Sequence, residues 1–484
     1  MSSRRSYLLT FDAGSNYDAS FFLDFLTDYR HNVFPFNPII PEKEIRECIS
    51  LMHAGRERCS FLYAYAAVTI NLTKTGPMHT PEVSNQISYL IGKSAELRET
   101  FVSNSEITCR SIMTSMFLHN CLMSLRKYDL AFFYIREAIT MILLMRIDDV
   151  AVMSKLDVHE RARRQRLYWE AWIHERFLAI IDYRYVVLPP LSTGLPEFDS
   201  SLPPGLYEGF TQIIELFTLL DEQFMRNWLL MASDPASTDV TAAWIEQKHS
   251  ELEDKDPASP VSLPSSHSTA SLSDMQQADL IITRHWLRTL LWQMAMSKCL
   301  LSSNTQKEFM SLLFPVRVSS QLRHLITSFS RENIEVHGSG ILQKLFEITD
   351  TIANVIIHVP AAPLENTTDR VEDFLFLIDF LFSFPRFASK LRQILMERLE
   401  TLQQLFPYTG GPSEGSVSPG GALLPGGQQN MQPWASLAAA PMARGSGSLP
   451  WLTPDAAMPD GYGGRPEDRW KRTKRALSAT SYSL

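Results

Sequence analysis

Apolar residues recur along most of this chain at the three- and four-residue spacing of amphipathic helices, whereas the alternating pattern of half-buried strands is scarce. Helix-start signals accompany this pattern. Thr80 stands directly before Pro81, the order of an N-cap and a first helical residue, and Asp18 is placed to cap a helix that follows it. Residues 61–72 are nearly all apolar and predict a buried helix. The sequence therefore predicts an all-α fold, a large irregular helical array that is solenoid-like or bundle-like.

The helical patterns lie between residues 18 and 405. A fixed period of the kind found in tetratricopeptide or armadillo proteins does not recur, which argues against regular repeats. Besides the arginine-rich helix described below, the predicted helical segments are 18–30, 61–72, 80–101, 106–125, 128–147, 208–230, 275–301, 306–329 and 371–405.

Composition divides the chain into parts. One internal stretch is rich in Ser, Pro, Asp and His, and the C-terminal region is rich in Gly, Pro, Ser and Ala. Such segments bury too little apolar surface to offset the entropy lost on ordering. We expect a disordered N-terminus at 1–15, a helical domain whose first part is 16–251, a flexible insertion at 252–273, a second helical part at 274–407 and a disordered tail at 408–484.

Charge and cysteine content limit the class of protein. The formal net charge of −8 argues against a surface that grips nucleic acid throughout, because phosphate neutralisation requires basic residues. The five cysteines are sparse and odd in number, which favours a reducing intracellular compartment. The apolar stretch 373–384 contains Asp379 and is too short to span a membrane. We expect a soluble protein without membrane contact.

Catalytic and metal-binding patterns are weak. His174 and Glu175 could begin a zinc-protease helix, but position 178 is Leu instead of the second His. Cys109 and Cys121 are twelve residues apart on one predicted helix, which favours buried thiols over a zinc clamp. The chain also lacks a phosphate-binding loop. The sequence predicts no enzyme, no metal site and no cofactor.

An arginine-rich helix at 161–176 is the most distinctive segment. Its Trp169 and Trp172 continue into an apolar stripe, and Arg176 lies at the edge of that stripe. Arginines in the first turns oppose the helix dipole and therefore require acidic or carbonyl partners. Two interpretations remain open: internal ties between helices, which the tryptophans favour, or contacts with DNA or an acidic partner.

The same helix carries a family resemblance. It resembles the regulatory domain of fungal transcription factors, the middle homology region of binuclear zinc-cluster regulators, and is similar to the maltose and amylase-gene activator type. The resemblance covers residues 16–405 and is strongest at 127–196. In the family a Gly and a Pro flank the later arginine, where this chain has Tyr183 and Tyr185. The residues that carry the motif are Arg163, Arg164, Tyr168, Trp169, Glu175, Arg176, Arg184 and, in a later Leu-Pro pair, Pro196.

The resemblance implies a regulator of transcription. Family members read DNA with an N-terminal cluster of six cysteines, but no cysteine precedes Cys48 here and none has the required spacing. We therefore expect no specific DNA binding by this chain alone, and action in the nucleus through other transcription factors or co-regulators, with a small-molecule effector as a further partner. The pathway would be sugar utilisation or a secondary-metabolite gene cluster. The alternative is a helical small-molecule sensor or scaffold with no direct transcriptional role.

A basic cluster near the C-terminus fits a nuclear location. Such clusters serve as import signals, although they also occur as plain solvated charge. The basic residues that we assign to nuclear import are Arg469, Lys471, Arg472, Lys474 and Arg475.

Overall fold

The structure is a computed structural model that describes residues 17–74, 78–98, 106–254, 272–303, 305–359 and 367–405. The predicted N-terminus at 1–15, most of the predicted insertion at 252–273, the predicted tail at 408–484 and the basic cluster lie outside these residues. In the described ranges the regular structure is helical, and β-type pairing is confined to an isolated bridge between Ser302 and Ser311. The predicted all-α class is confirmed.

The helices of the first part begin near the N-terminus and end with the arginine-rich helix. They are α1 (Ala19–Leu23), α2 (Leu26–Asn32), α3 (Glu42–Ser50), α4 (Arg56–Thr73), α5 (Pro81–Leu97), α6 (Cys109–Ser124), α7 (Tyr128–Leu144), α8 (Val150–Met153) and α9 (Val158–Asp182).

An extended segment, residues 183–203, leads from α9 into the remaining helices. These are α10 (Pro204–Phe217), α11 (Glu222–Ser233), α12 (Ala242–Asp254), α13 (Asp274–Ser297), α14 (Phe314–Ser328), α15 (Arg331–Glu335), α16 (Gly338–His358), α17 (Thr367–Phe382) and α18 (Ser389–Leu405).

Several predicted helix starts are confirmed. The Thr80 side chain accepts a hydrogen bond from the backbone N–H of Val83, and Pro81 follows as the first residue of α5. Asp18 accepts from the N–H of Phe21 at the start of α1. The apolar run at 61–72 lies within α4 and is buried throughout. At the starts of α1 and α5 a local rule decides the outcome, because a cap satisfies an N–H that has no partner inside the helix.

Some predicted segments differ from the structure. The segment 371–405 is two helices, because Pro385 lacks an N–H and disfavours helical geometry at the residue before it. The segment 306–329 becomes α-helical only from Phe314, with Pro315 in the first turn, where its missing N–H is harmless. Residues 18–30 likewise form two short helices instead of one.

Helix α9 lies between the earlier and the later helices. It packs against α6 and α7 on one side and against α10 and α11 on the other. One continuous hydrophobic core runs through both parts, and α13 packs against α16 in its later part. None of the helices in the described ranges has the length and apolarity that would carry it across a bilayer.

Candidate functional site

Helix α9 is buried around most of its circumference. The Asp157 side chain caps it by accepting from the N–H groups of His159 and Glu160. The interior of the helix lacks Gly and Pro and is rich in Ala, Leu, Glu and Arg, all of them good helix formers. Its polar residues Gln165, Arg166, Glu170, Glu175 and Arg176 are nevertheless buried. Buried charges require partners, so the contacts of these side chains define what the helix does.

The first arginines bind the N-terminal region. Arg163 donates from Nε to the Ile39 carbonyl at 2.7 Å and from a terminal nitrogen to Glu44 at 2.6 Å. Arg164 instead pairs within the helix, with Glu160 at 2.8 Å. Arg163 thus holds the loop before α3 and the first turn of α3 against α9.

Arg166 continues this contact and joins it to the extended segment. Its Nε donates to the Pro38 carbonyl at 2.8 Å, and its guanidinium lies 3.0 Å from the carboxylate of Asp199. Burial acts to raise the pKa of Asp199, but hydrogen bonds from Ser201 and His159, together with Arg166, outweigh it and lower that pKa to about 2. The pair therefore stays ionised at neutral pH.

The aromatic pair of the motif also anchors the extended segment. Tyr168 donates its hydroxyl to the Pro189 carbonyl at 2.9 Å, and Trp169 donates its indole N–H to the Gly194 carbonyl at 3.0 Å. Pro196 is buried, and its carbonyl accepts from the hydroxyl of Tyr207 in α10 at 3.0 Å. The segment that follows α9 thus folds back along it.

Glu175 and Arg176 complete this arrangement. The Glu175 carboxylate accepts from the backbone N–H groups of Val187 and Leu188 at 2.8 and 3.0 Å and pairs with Arg136 of α7 at 2.6 Å. Burial raises the pKa of Glu175 despite these contacts. Arg176 donates to the carbonyls of Leu188 and Leu220. Two adjacent residues therefore tie α7, α9 and the extended segment to the end of α10.

The turn after α9 departs from the family pattern in residue type. Tyr183 has a φ of +52° and ψ of +42°, the left-handed conformation that favours Gly. Its ring stacks on Trp228, with centroids 6.3 Å apart and planes 9° from parallel. Arg184 pairs with Asp182 and Asp129 and lies over the Phe132 ring. The turn keeps a backbone that Gly would adopt readily while carrying an aromatic side chain.

The motif residues therefore do not converge on one point. They lie on different faces of α9 and bind separate parts of the chain, and the arginines at 163, 164, 166, 176 and 184 all have partners inside the protein. The residues assigned to nuclear import lie outside the described ranges.

A further face of α9 borders a cavity of about 170 Å³ that is partly open to solvent. The helix contributes Glu170, Ile173, His174 and Phe177 to its wall. Other wall residues come from α4, α6, α10, α13, α16 and the loop before α3. The cavity thus lies where the earlier and later helices meet.

One cluster of polar side chains in the cavity wall comes from the earlier part of the chain, up to α9. The Glu170 carboxylate lies 3.0 Å from Nε2 of His174. Asn37, in the loop before α3, is 8 % exposed and also lines the wall. Asn120 also lines the wall, and its side-chain oxygen accepts from Asn71 at 3.1 Å.

A second cluster of polar side chains comes from α13, α16 and the residue before α16. The Asp279 carboxylate lies 3.1 Å from Nζ of Lys344 and 3.8 Å from Nδ1 of His337. Burial acts to raise the pKa of Asp279, but Lys344 and His337 outweigh it and lower that pKa. Burial lowers the pKa of His337, although Asp279 acts to raise it. Lys344 also faces the rings of Phe177 and Phe217 at 5.8 and 5.6 Å.

Sequence reasoning did not identify this cavity. Its wall comes from seven separate chain segments, so no motif spans it. The local signal in the sequence is the pair of Glu170 and His174, one helical turn apart, whereas the zinc-protease pattern pairs His174 with Glu175. In the described part of the chain no three His, Cys, Asp or Glu side chains are grouped as metal ligands. Cys109 and Cys121 are buried free thiols in α6, as predicted.

Comparison with known proteins finds that the chain is similar to several fungal proteins. It is 24 % identical to a probable sucrose utilization protein of Candida albicans. The alignment extends over 292 residues and covers 59 % of this chain and 54 % of that protein. It is 22 % identical to a maltose fermentation regulatory protein of Saccharomyces cerevisiae, over 68 % of this chain and 66 % of the relative. A respiratory transcription factor of the same yeast is 22 % identical over 58 % of this chain and 57 % of its own length.

The aligned regions are partial. The chain spans between about half and two thirds of the length of these three relatives. No protein-family model and no solved structure matches it.

Proposed function

Because this chain is homologous to fungal regulators of sugar utilisation, maltose fermentation and respiration, we propose that it is a pathway-specific fungal transcriptional regulator acting through its helical domain. The observation that carries the proposal is this relationship, which extends over 58–68 % of the chain for the relatives named above. The internal ties of α9 support it, since the residues shared with the family motif hold the domain together.

We propose sugar utilisation as the pathway. Sucrose utilisation and maltose fermentation are the processes for which two of the relatives are named. A secondary-metabolite gene cluster, the other pathway that the sequence left open, has no comparable support.

The chain acts on DNA through partner proteins in this proposal. The arginines of α9 are engaged by carboxylates and carbonyls of the same chain, so they are not available to neutralise phosphates. The formal net charge of −8 also argues against direct binding of DNA by this chain. A gel shift with the purified chain should show no sequence-specific, salt-sensitive complex, and such a complex would contradict this part of the proposal.

The basic cluster between Arg469 and Arg475 is proposed as the nuclear-import signal. A fluorescent fusion of the full chain should accumulate in the nucleus. Replacing the five basic residues of this cluster with Gln should shift the fusion to the cytosol. The fusion carrying Gly92→Ala, a substitution on α5 with no atom within 4 Å of the added carbon, is the matched control. Cytosolic fluorescence of the unaltered fusion would count against a nuclear role.

Deleting the gene tests the regulatory role itself. Transcript levels should be compared between deletion and parent strains grown on glucose, sucrose or maltose as the carbon source. We expect genes of sugar uptake and hydrolysis to change several-fold on at least one of these sugars. Unchanged transcripts on all three would overturn the proposal.

A small-molecule sensor without a transcriptional role is the second candidate, and the cavity beside α9 favours it. In that case ligand binding would persist in the purified protein while nuclear accumulation and transcript changes were both absent. The import and deletion experiments therefore separate the two candidates.

A further inference from the structure

Helix α7 carries apolar side chains on two opposite sides. On one side Ile135 and Ala138 are buried, and the helix packs against α6 and α9. On the other side Leu130, Phe133 and Leu144 fall on one stripe of a 3.6-residue helix, and each is 50–57 % exposed. The outer side of a surface helix ordinarily carries polar residues. The outward stripe of α7 is therefore a surface that a further protein element can bury.

The extended segment after α9 widens this apolar surface. Arg136 of α7 donates to the carbonyl of Tyr185 and pairs with Glu175. Glu175 in turn accepts from the N–H of Val187, so the segment is held beside α7. The exposed side chains of this surface, which we call the α7 face, are Leu130, Phe133, Leu143, Leu144, Tyr185 and Val187. They are six of the thirteen large apolar side chains that are exposed in the described ranges, so the exposure is concentrated here.

The size of the α7 face fits a small protein interface. Helix α7 has 17 residues and is therefore about 25 Å long. With the segment beside it the face is about 20 Å wide, which gives roughly 500 Å². Monomers rarely expose contiguous apolar surface of more than a few hundred Å². Stable complexes bury about 800 Å² of each partner, so we expect a reversible association with a dissociation constant in the micromolar range.

The outward stripe is complementary to itself when two copies of α7 pack antiparallel. Leu130 lies seven residues before Glu137, and Leu144 lies seven residues after it. When the two helices pack with their Glu137 positions facing each other, Leu130 of one copy therefore meets Leu144 of the other. Phe133 then packs beside Thr140, which is also exposed. The same stripe thus serves as both halves of the contact.

The charges at the two ends of the stripe favour the antiparallel arrangement. Asp129, at the N-terminal end, has a side chain that is 91 % exposed, and that of Arg146, just beyond the C-terminal end, is 65 % exposed. Their partners within the chain are Arg184 and Asp149, which leave both side chains accessible for a second pair. Antiparallel packing brings each Asp129 near Arg146 of the other copy, whereas parallel packing brings like charges together.

One carboxylate lies at the centre of the stripe, where the two copies meet. Oε2 of Glu137 lies 2.9 Å from Arg98 and accepts a hydrogen bond from Ser115 of α6 at 2.9 Å. These partners turn the carboxylate towards α6. Its opposite charge neighbour and its orientation both reduce the repulsion between the two Glu137 side chains at the symmetry axis.

We propose that the α7 face binds the same face of a second copy of this chain, with the two α7 helices antiparallel. The symmetric spacing of Leu130 and Leu144 and the opposite charges of Asp129 and Arg146 favour a second copy over an unrelated partner. A twofold contact requires a surface that fits itself, and this stripe does. The inference concerns assembly and does not depend on the proposed regulatory function.

Sedimentation velocity of the purified full chain tests the association. We expect a reversible change from monomer to dimer between about 1 and 100 µM. Phe133→Glu should weaken the dimer tenfold or more, because the contact would then bury two new carboxylates. The matched control is Phe198→Glu, since both rings are 57 % exposed and each packs edge-on against one tyrosine. The control should dimerise as the parent does, and a chain that stays monomeric, or equal effects of the two substitutions, would overturn the proposal.

The Tm of the monomers tests whether the same chain covers the face instead. Below about 1 µM, where association no longer contributes to stability, Phe133→Glu and Phe198→Glu should lower the Tm equally or not at all. A clearly larger fall for Phe133→Glu would show that another segment of the same chain packs on the α7 face, and a second copy could then not bind there.

Disulfide formation between copies tests the arrangement of the helices. Packed helices about 8–10 Å apart bring facing Cα atoms within about 6 Å, which a disulfide can span. In a Cys299→Ser background, which removes the exposed thiol, the double variant Leu130→Cys/Leu144→Cys should form a covalent dimer on oxidation. An equal mixture of the two single variants should also do so. Either single variant alone should not, because identical positions lie about 20 Å apart in the antiparallel pair.

Covalent dimers of a single variant with itself, or none from the double variant, would contradict the antiparallel contact. Dimerisation without transcript changes in the deletion strain would leave the interface standing and remove the regulatory role. Transcript changes with a chain that stays monomeric would do the reverse.

Discussion

The guanidinium carbon of Arg176 lies 3.6 Å from the ring centre of Trp172, one turn earlier on α9. The guanidinium thus packs on this ring in the core, and its nitrogens donate to the carbonyls of Leu188 and Leu220. Burial lowers the pKa of Arg176 to about 10, but the side chain remains charged at neutral pH. One guanidinium therefore links α9 with two other parts of the chain.

Replacing Arg176 should destabilise the domain strongly. Arg176→Ala removes a cation that is 2 % exposed and leaves two buried carbonyls and the Glu175 carboxylate with fewer partners. We expect a loss of about 3–5 kcal/mol in the free energy of unfolding, measured by urea denaturation. Arg176→Lys should recover part of this loss, since an ammonium can reach one carbonyl but not both. An unchanged Tm for Arg176→Ala would contradict the structural role.

Asp199 should make stability depend on acid pH. Its pKa of about 2 in the folded protein is below the value of 3.8 for a free side chain, so the ionised form stabilises the fold above about pH 4. That contribution is lost as the pH falls through the folded value. Asp199→Asn should therefore destabilise by about 3 kcal/mol at pH 6, because Arg166 loses its carboxylate.

The difference between the parent and Asp199→Asn should become smaller as the pH is lowered from 4 towards 2. Urea unfolding at a series of pH values measures it. A difference that is constant over this range would show that the carboxylate charge plays no part.

Substitutions of Tyr183 should measure how much the left-handed backbone of the turn after α9 lowers the free energy of unfolding. Tyr183→Ala and Tyr183→Gly both remove the ring that stacks on Trp228. The two variants differ in that Ala places a Cβ on the left-handed backbone, where it is unfavourable, and Gly does not. We expect the Gly variant to be more stable than the Ala variant by about 1 kcal/mol in chemical denaturation. Equal stabilities would mean that the turn changes conformation in the variants.

The thiols should differ in reactivity. Cys48, Cys109 and Cys121 are buried, and burial raises the pKa of Cys48 and Cys109 to about 11 and that of Cys121 further. Since the thiolate is the reactive form, these thiols should react with Ellman's reagent only on unfolding. Cys299 is exposed and should react first in the native protein.

Cys299→Ser should remove this fast phase and leave the slower phases unchanged. Rapid reaction of three or more thiols in the folded protein would contradict the packing of α3 and α6.

Local features of the fold could be predicted because their causes are local. The Thr80–Pro81 start of α5 follows from one side-chain oxygen and one missing N–H, and the burial of 61–72 follows from its continuous apolar run. The helix breaks near Pro385 and before Phe314 were missed, although the prolines were visible, because helical spacing of apolar residues continues across both positions.

The partners of the motif residues could not be predicted from the sequence. Arg163 pairs with Glu44, 119 residues away, and Arg166 with the carbonyl of Pro38, 128 residues away. Several carboxylates in the chain could satisfy each arginine equally well by charge alone. Only the packing of α9 selects among them, because it sets which groups come within hydrogen-bond distance.

The sequence by itself determined the helical class, the main caps, the burial of α4 and the arginine–tryptophan pattern of α9, since periodicity, capping and propensity act within a few residues. Only the tertiary structure decided that the arginines are held inside the chain and that Glu170, His174 and Asn37 border one cavity. A cavity is the space left between helices after they pack, so its shape depends on contacts among segments hundreds of residues apart, such as Ser124 with Ser339.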